Sequence, residues 1–510
     1  MKKLSILCAV FGLLAAACGG GDSGNGDGPT GQGPSPTPVA APPTIEGDSA
    51  PDDSASHGAV DDSQPETEDA AGDQATAAPD STAPSDGDIP ETEEVAATHP
   101  IFQPPCAGEG ELGATATGVT EDTIKVGAPQ VDFEELGNLG IAQIERGDYE
   151  VILQALADEV NDNGGICGRM VEPIIYKFLP FGTDTSLAGC VYFTEDEQVF
   201  AVLGEFTRVP AGNLCVTESH STALLGAPYT ADDLARANAP WVALEIADDR
   251  LMSVFVSALD QAGLLADVGR VAVHSDIERK DRVDNVLVPA LEAAGVDIVA
   301  RTVSDAPPGD IQAGASIWRT FLEIYRNADV DTVFLEGDTN VSVEQIIQGG
   351  LEVDVFSVDH GPFGFGLRDS SDPSYFDAYS IGSPYSGDET NRRTDDCIDI
   401  FERRTGIQVI SPSLVPDDGI NWHTPVLGGC RIMDLFAQLA AAAGPNLTNE
   451  TLQAAIDGFG SIELPNEAFA SLGVDKYDAR DGVVLMKWDH EADEGEGNFV
   501  VISELIDTSG

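Results

Sequence analysis

The sequence predicts an α/β protein of two doubly wound units behind a long acidic tail. Three observations predict it. Residues 118–178 read as strand, long helix, strand, which favours a parallel layer. The strand–helix alternation runs through one complete set and restarts near residue 245. Residues 19–100 carry 18 Asp/Glu, no Lys/Arg and almost no large apolar residue.

Met1 to Cys18 reads as an export signal. Lys2 and Lys3 give the charged start, Leu4 to Leu14 the apolar core, and Ala15-Ala16-Ala17-Cys18 the small-residue end. The apolar run is shorter than the roughly 20 residues that span a bilayer. A Cys directly after three small residues resembles a bacterial lipoprotein cleavage site. Residues 1–18 are therefore expected to be a lipoprotein signal peptide, with Cys18 lipidated and anchored by two chains. An ordinary signal peptide is the plainer reading. Residues 19–105 are expected to form a disordered acidic linker, because nothing there offsets chain entropy. Its flexible part would reach roughly 50 Å on average.

The formal charge of the chain is −63. Residues 101–510 alone hold 70 acidic against 23 basic side chains, a net of −47. Nucleic acid is excluded as an expected partner, since phosphate binding needs clustered Lys/Arg.

The folded part begins with GVTEDTIKVGAP (118–129), where Ile124 and Val126 alternate with polar neighbours as in a strand. Val151, Leu153, Ala155, Leu156 and Val160 follow at helical spacing, and Gly164-Gly165 stops the helix. VEPIIYKF (171–178) is the second strand. Further strands are predicted at 200–206, 223–229, 241–246, 270–276, 296–303, 330–338 and 353–360. Helices are predicted at 248–263, 281–294, 312–327 and 341–349, then near 393–405, 423–444 and 449–458. DGVVLMKW (481–488) and NFVVISEL (498–505) read as a hairpin around an acidic tip.

GVTEDTIKVG (118–127) with ALADEVNDNGGICGR (155–169) resembles the start of the solute-binding proteins of ABC transporters for branched-chain amino acids and amides, which have a type I periplasmic-binding fold. IGSPYSG (381–387) resembles that family's return crossover. The resemblance implies two Rossmann-like lobes, three crossovers and a ligand cleft between them. Lobe 1 would take 106–244 and 382–475, and lobe 2 would take 245–381 and 476–510. It further implies a monomer without cofactor, held by lipid on the extracytoplasmic face of the cell membrane. Such a protein captures a small polar solute by hinge closure and delivers it to ABC permease subunits. A sensory receptor domain of the same fold and an exported hydrolase are the alternatives.

Cys106, Cys167, Cys190, Cys215, Cys397 and Cys430 form an even set in an exported chain, which suggests three disulfides among 15 connectivities. The resemblance implies Cys190–Cys215 within the first lobe. Cys106–Cys167 and Cys397–Cys430 are the other pairs expected, one pinning the incoming segment and one joining two helices.

No catalytic set assembles, so no enzyme is expected. HExxH, G-x-S-x-G, P-loop and CxxC patterns are all absent, and no metal site is expected. Gly361, Gly364 and Gly366 make only part of a dinucleotide loop. Asp489, Glu491, Asp493, Glu494 and Glu496 lack the calcium-loop pattern and read as a solvated hairpin tip. Open α/β sheets bind ligands at the carboxyl ends of strands. The ligand-binding candidates there are Phe133, Glu205, Thr207, Arg208, Tyr229 and Thr230 in the first unit. In the second they are Asp276, Asp338, Thr339 and His360. The resemblance places Thr207 and Thr230 as hydroxyl donors to a ligand carboxylate. It also places an acid before a glycine in the second lobe, where VDHGPFG (358–364) has His360 instead, with Asp359 one residue away. Arg208 would grip a carboxylate in a forked pair, or else form a structural ion pair with an acid such as Glu205.

Overall fold

A computed structural model describes residues 99–510, apart from 140–144, 208, 267, 307–310, 338, 370–376, 386–389, 417–418, 493–494, 496 and 510. The signal peptide, Cys18 and the tether to residue 98 lie outside the described residues, as do Arg208, Asp338, Asp493, Glu494 and Glu496.

The first lobe is organised on a parallel sheet of five strands: β1 (Thr123–Val131), β2 (Met170–Phe178), β3 (Ala201–Gly204), β4 (Ala223–Gly226) and β5 (Trp241–Ala243), in the order β2-β1-β3-β4-β5. Both faces are covered, so these strands are apolar on both sides. Ile124, Val126, Ala128, Ala201, Leu203 and Val242 face a core shared with α2 (Tyr149–Asp162) and three later helices. Phe178, Val202, Leu224 and Trp241 face an aromatic core on the other side, with Phe193 and Phe206.

The second lobe has an eight-stranded sheet. Its parallel part is β6 (Arg270–Asp276), β7 (Asp297–Ser304), β8 (Thr332–Glu336), β9 (Asp354–Phe356) and β10 (Ala378–Gly382). The C-terminal hairpin adds β11 (Gly482–Asp489), antiparallel to β10, and β12 (Asn498–Val501), while β13 (Ile506–Asp507) pairs with β11. The order β7-β6-β8-β9-β10-β11-β12 reverses between β7 and β8, around β6. Val271, Val273, Phe334 and Phe356 pack beneath α6 (Asp248–Gln261). Val333, Leu335 and Val355 pack on the opposite face against Trp318, Phe321 and Ile346.

The chain then returns to the first lobe. α10 (Arg392–Thr405) starts at Asn391, whose side-chain oxygen caps Thr394 N–H at 2.9 Å, and stops at Gly406 in the left-handed conformation. α11 (His423–Ala443) is long and apolar enough to cross a membrane, but it is mostly buried against the first sheet. Arg393 on α10 makes a forked pair with Asp434 on α11, with N–O distances of 2.6 and 2.9 Å and Asp434 fully buried.

Three disulfides form: Cys106–Cys167, Cys190–Cys215 and Cys397–Cys430. The last joins α10 to α11 and closes a loop of 33 residues. Replacing both cysteines by serine is expected to lower unfolding free energy by about 3–4 kcal/mol on the loop-entropy model. Urea unfolding of the double variant checks this, and a loss below about 1 kcal/mol would contradict it.

Candidate functional site

β3 ends at Gly204, whose φ of 104° suits glycine. Phe206 then turns into the aromatic core, 5.3 Å from Phe178 and almost fully buried. A Cβ on Gly189 or Gly212 would come within 2.6 Å of that ring, so both glycines make room for it. The Phe206 N–H donates to Asn213 Oδ1 at 3.0 Å. With Phe206 anchored, Glu205 and Thr207 stand on either side of it at the carboxyl end of the strand. The Thr207 hydroxyl donates to Glu205 Oε1 at 3.1 Å. Burial pushes the Glu205 carboxyl up, and the carboxylates of Glu245 and Asp248 push the same way against that hydrogen bond.

The other first-lobe candidates divide. Thr230 caps α5 (Ala231–Arg236) in a capping box with Asp233: its hydroxyl donates to Asp233 Oδ2 at 2.8 Å and accepts the Asp233 N–H at 3.2 Å. The hydroxyl protons of Thr207 and Thr230 are thus both engaged inside the protein. Tyr229 is buried edge-on to Trp241, 6.0 Å between ring centres. Phe133 starts α1 (Phe133–Asn138) and carries the Arg146 guanidinium 5.2 Å above its ring.

In the second lobe, Asp276 closes β6 and accepts the Arg279 N–H at 2.8 Å. Glu336 closes the neighbouring strand β8 and is 2% exposed. Burial pushes its carboxyl up to about 8, and Asp359 adds to the rise, while Arg279 and Arg282 oppose it. Thr339 opens α8 (Thr339–Gly349), and its buried hydroxyl has no hydrogen-bond partner among the described residues. Asp359 pairs with Arg279. The strand predicted over 353–360 is shorter, since β9 ends at Phe356 and His360 begins helix α9 (His360–Asp369). The His360 ring is pushed down by its surroundings and by Arg480, while Glu245 and Asp359 draw it up.

The passage between the lobes is the most densely charged region described. After β5, Ala243 pairs with the last crossing through Ala243 N–H to Tyr477 O (2.8 Å) and Ala479 N–H to Ala243 O (2.9 Å). Asp478 accepts from Ala247 N–H and from Arg250 Nε, both at 2.8 Å. Arg250 also holds fully buried Asp481 (2.9 Å), the Arg480 carbonyl and Thr508. Beside this hub, Glu467 and Glu245 each bind both Arg431 and Arg480. Burial works against the charged form of Glu245, yet Arg480 and Arg431 bring it down to about 2. Within the second lobe, Arg282 pairs with Asp248 at the start of α6. Ionic and electrostatic couplings therefore run continuously from Glu205 through Glu245, Asp248 and Arg282 to Glu336, Arg279 and Asp359.

Sequence reasoning missed Glu245, Arg250, Glu336, Arg431, Glu467, Arg480 and Asp481. Glu245, Glu336, Arg480 and Asp481 had one local signal, a charge near a strand end, which the chain's many acids obscured, while Arg250 and Arg431 lie within helices and Glu467 lies in a loop. Two other features carry no site. A cavity of about 840 Å³ is lined mainly by first-lobe residues, with Asp481, Asp507 and Ser509 on one side, but Asn391, Arg393 and Gln438 on its wall are bonded within the protein. Cys190, Cys215 and His220 cluster, but the two sulfurs are joined to each other.

No protein-family model matches the chain, and no curated protein matches it. Solved structures do match. The leucine-, isoleucine-, valine-, threonine- and alanine-binding protein of Brucella ovis, in a closed conformation, aligns with TM-score 0.54 and 14% identity over 76% of this chain and 96% of its own. An ABC-transporter solute-binding protein of Rhodopseudomonas palustris BisB5, bound to 3,4-dihydroxybenzoic acid, aligns with TM-score 0.51 and 15% identity over 76% and 98%. A periplasmic binding protein type 1 of Bordetella pertussis aligns with TM-score 0.53 and 13% identity over 75% and 100%. The fold is the two-lobed type I periplasmic-binding fold. At these identities the likeness carries the architecture and leaves the ligand to the residues of this chain.

Two outcomes follow. Arg250→Met would leave Asp478 and Asp481 to share Lys476 as their one cation among the described residues, so it should cost about 3–5 kcal/mol in urea unfolding. A near-neutral variant would show that the hub contributes little. Folded Glu336 holds its proton up to about 8, above the ordinary 4.5, so its contribution to stability falls as pH rises between those values and is flat above them. Glu336→Gln should remove that slope and gain at least about 1.4 kcal/mol on the wild type between pH 5 and pH 8, the worth of one pKa unit. Equal slopes in the two proteins would contradict the assignment.

Proposed function

We propose that this protein is the extracytoplasmic substrate-binding component of an ABC importer. It captures a small polar solute of the amino-acid, amide or carboxylate kind and needs no chemistry of its own. The observation that carries this reading is the pairing of strand ends. The carboxyl ends of β1 and β3 in one sheet and of β6 and β8 in the other lie where strand order reverses, and both carry polar side chains linked through the charged passage. A solute that touches both walls favours the closed form by its differential affinity, and the permease reads the closed pair of lobes. In this reading lobe 1 takes 106–244 and 382–475, and lobe 2 takes 245–381 and 476–510. Cys18 carries the lipid that holds the monomer at the membrane face, and the acidic segment to residue 105 gives it reach. Phe133, Glu205, Thr207, Arg208, Tyr229, Thr230, Asp276, Asp338, Thr339 and His360 are the residues proposed around the solute.

Thermal unfolding against a panel of amino acids, amides, amines and small carboxylates tests the reading. A solute present at 100 times its Kd should add about 2.7 kcal/mol. The absence of any shift across every class would count against solute capture.

A further inference from the structure

The side chains that close the strands at the two switch points are acceptors. In the first lobe, β1 and β3 run in parallel register, with Val126 beside Ala201 and Gly127 beside Val202. Gln130 lies at the carboxyl end of β1, and Glu205 directly follows β3, the neighbouring strand. The side-chain oxygen of Gln130 is buried and has no hydrogen-bond partner among the described residues. Glu205 receives one hydrogen bond, from Thr207, and forms no ion pair among the described residues. In the second lobe, Asp276 and Glu336 end neighbouring strands, and neither forms an ion pair among the described residues. The arginines around them are already engaged: Arg279 with Asp359, Arg282 with Asp248, and Arg431 and Arg480 with Glu245 and Glu467. Ile277, directly after Asp276, is 56% exposed and offers apolar surface beside these acceptors.

We propose that the captured solute is a small organic cation, an amine or guanidinium on an alkyl body, whose charged nitrogen seats against Glu205 and Gln130 of the first lobe and Asp276 and Glu336 of the second. A cation supplies donors to Gln130 and Glu205 and a positive charge that, among the described residues, is not already paired elsewhere. Burial and like-charged neighbours push the carboxyls of Glu205 and Glu336 up, and Arg279 and Arg282 oppose the rise at Glu336 only in part. A second anion brought to the same place would meet Glu205, Asp276 and Glu336, while Arg279 and Arg282 are held by Asp359 and Asp248. The chain's net charge of −63 also raises the local concentration of cations.

This inference rests on the reading of the cleft as the solute site and puts a cation in place of the amino-acid, amide or carboxylate class given above, and the experiment separates the two. The full chain is unfolded thermally at pH 7.5 with putrescine, agmatine and arginine amide. In parallel it is unfolded with leucine, acetamide and benzoate at the same concentrations. Stabilisation by at least one of the first set and by none of the second is expected. Calorimetric titration of that cation into Glu205→Gln and Asp276→Asn should then show its Kd weakened tenfold or more, with unfolding of the unliganded variants confirming that they fold. Stabilisation by leucine, acetamide or benzoate alone would overturn the cation and leave solute capture standing. No stabilisation by either set would overturn both. An unchanged Kd in both variants would overturn the seat.

Discussion

The structure depends on one buried ionic junction. Arg250 lies in the first turn of the helix that opens the second lobe, and it holds Asp478 and Asp481 on the segment where the chain crosses for the last time. Those two carboxylates are nearly or fully buried, so each would be costly without a partner. Lys476 and Ser471 complete the shell of Asp481. The junction ties two crossings together at backbone level as well, through Ala243 and residues 477–479. In the proposed closure this junction is where the chain would pivot, with the two sheets moving as packed bodies on either side.

Next to the junction, Glu245 and Glu467 share Arg431 and Arg480. Arg431 comes from α11 in the first lobe, Arg480 from the last crossing and Glu245 from the first crossing. His360, from the second lobe, lies within the field of Arg480 and Glu245. The floor of the proposed cleft is therefore a lattice of paired charges, while Glu205, Asp276 and Glu336 at the strand ends form no ion pair among the described residues. That contrast is the physical basis for placing the solute at the strand ends and not on the floor.

Much of the fold was legible in the sequence because it is local. Alternation marked β1, helical spacing marked α2, and the Gly164-Gly165 stop stands where α2 ends. The two doubly wound sheets followed from the alternation and its restart. The site was legible only as positions. Thr207 and Thr230 look like free donors in sequence, yet one serves Glu205 and the other caps a helix, because short hydroxyl side chains satisfy the nearest backbone or carboxylate first. His360 stood at the end of a predicted strand, yet it starts a helix through GPFGFG, a stretch with poor helical propensity that packing overrides. The hinge was illegible because its partners are far apart: Arg250 and Asp478 are separated by 228 positions. With so many acids in the chain, no local pattern singles out the ones that pair.

The account's central claim is capture by closure about that hinge. The most direct measurement is the distance between spin labels on exposed positions of the two lobes, Val151 on α2 and Ile324 on the helix Ile311–Asn327, with and without the solute that stabilises the protein. The account predicts that the solute shifts and narrows the distance distribution toward one closed separation. A distribution identical in both states, at full occupancy of the site, would contradict it.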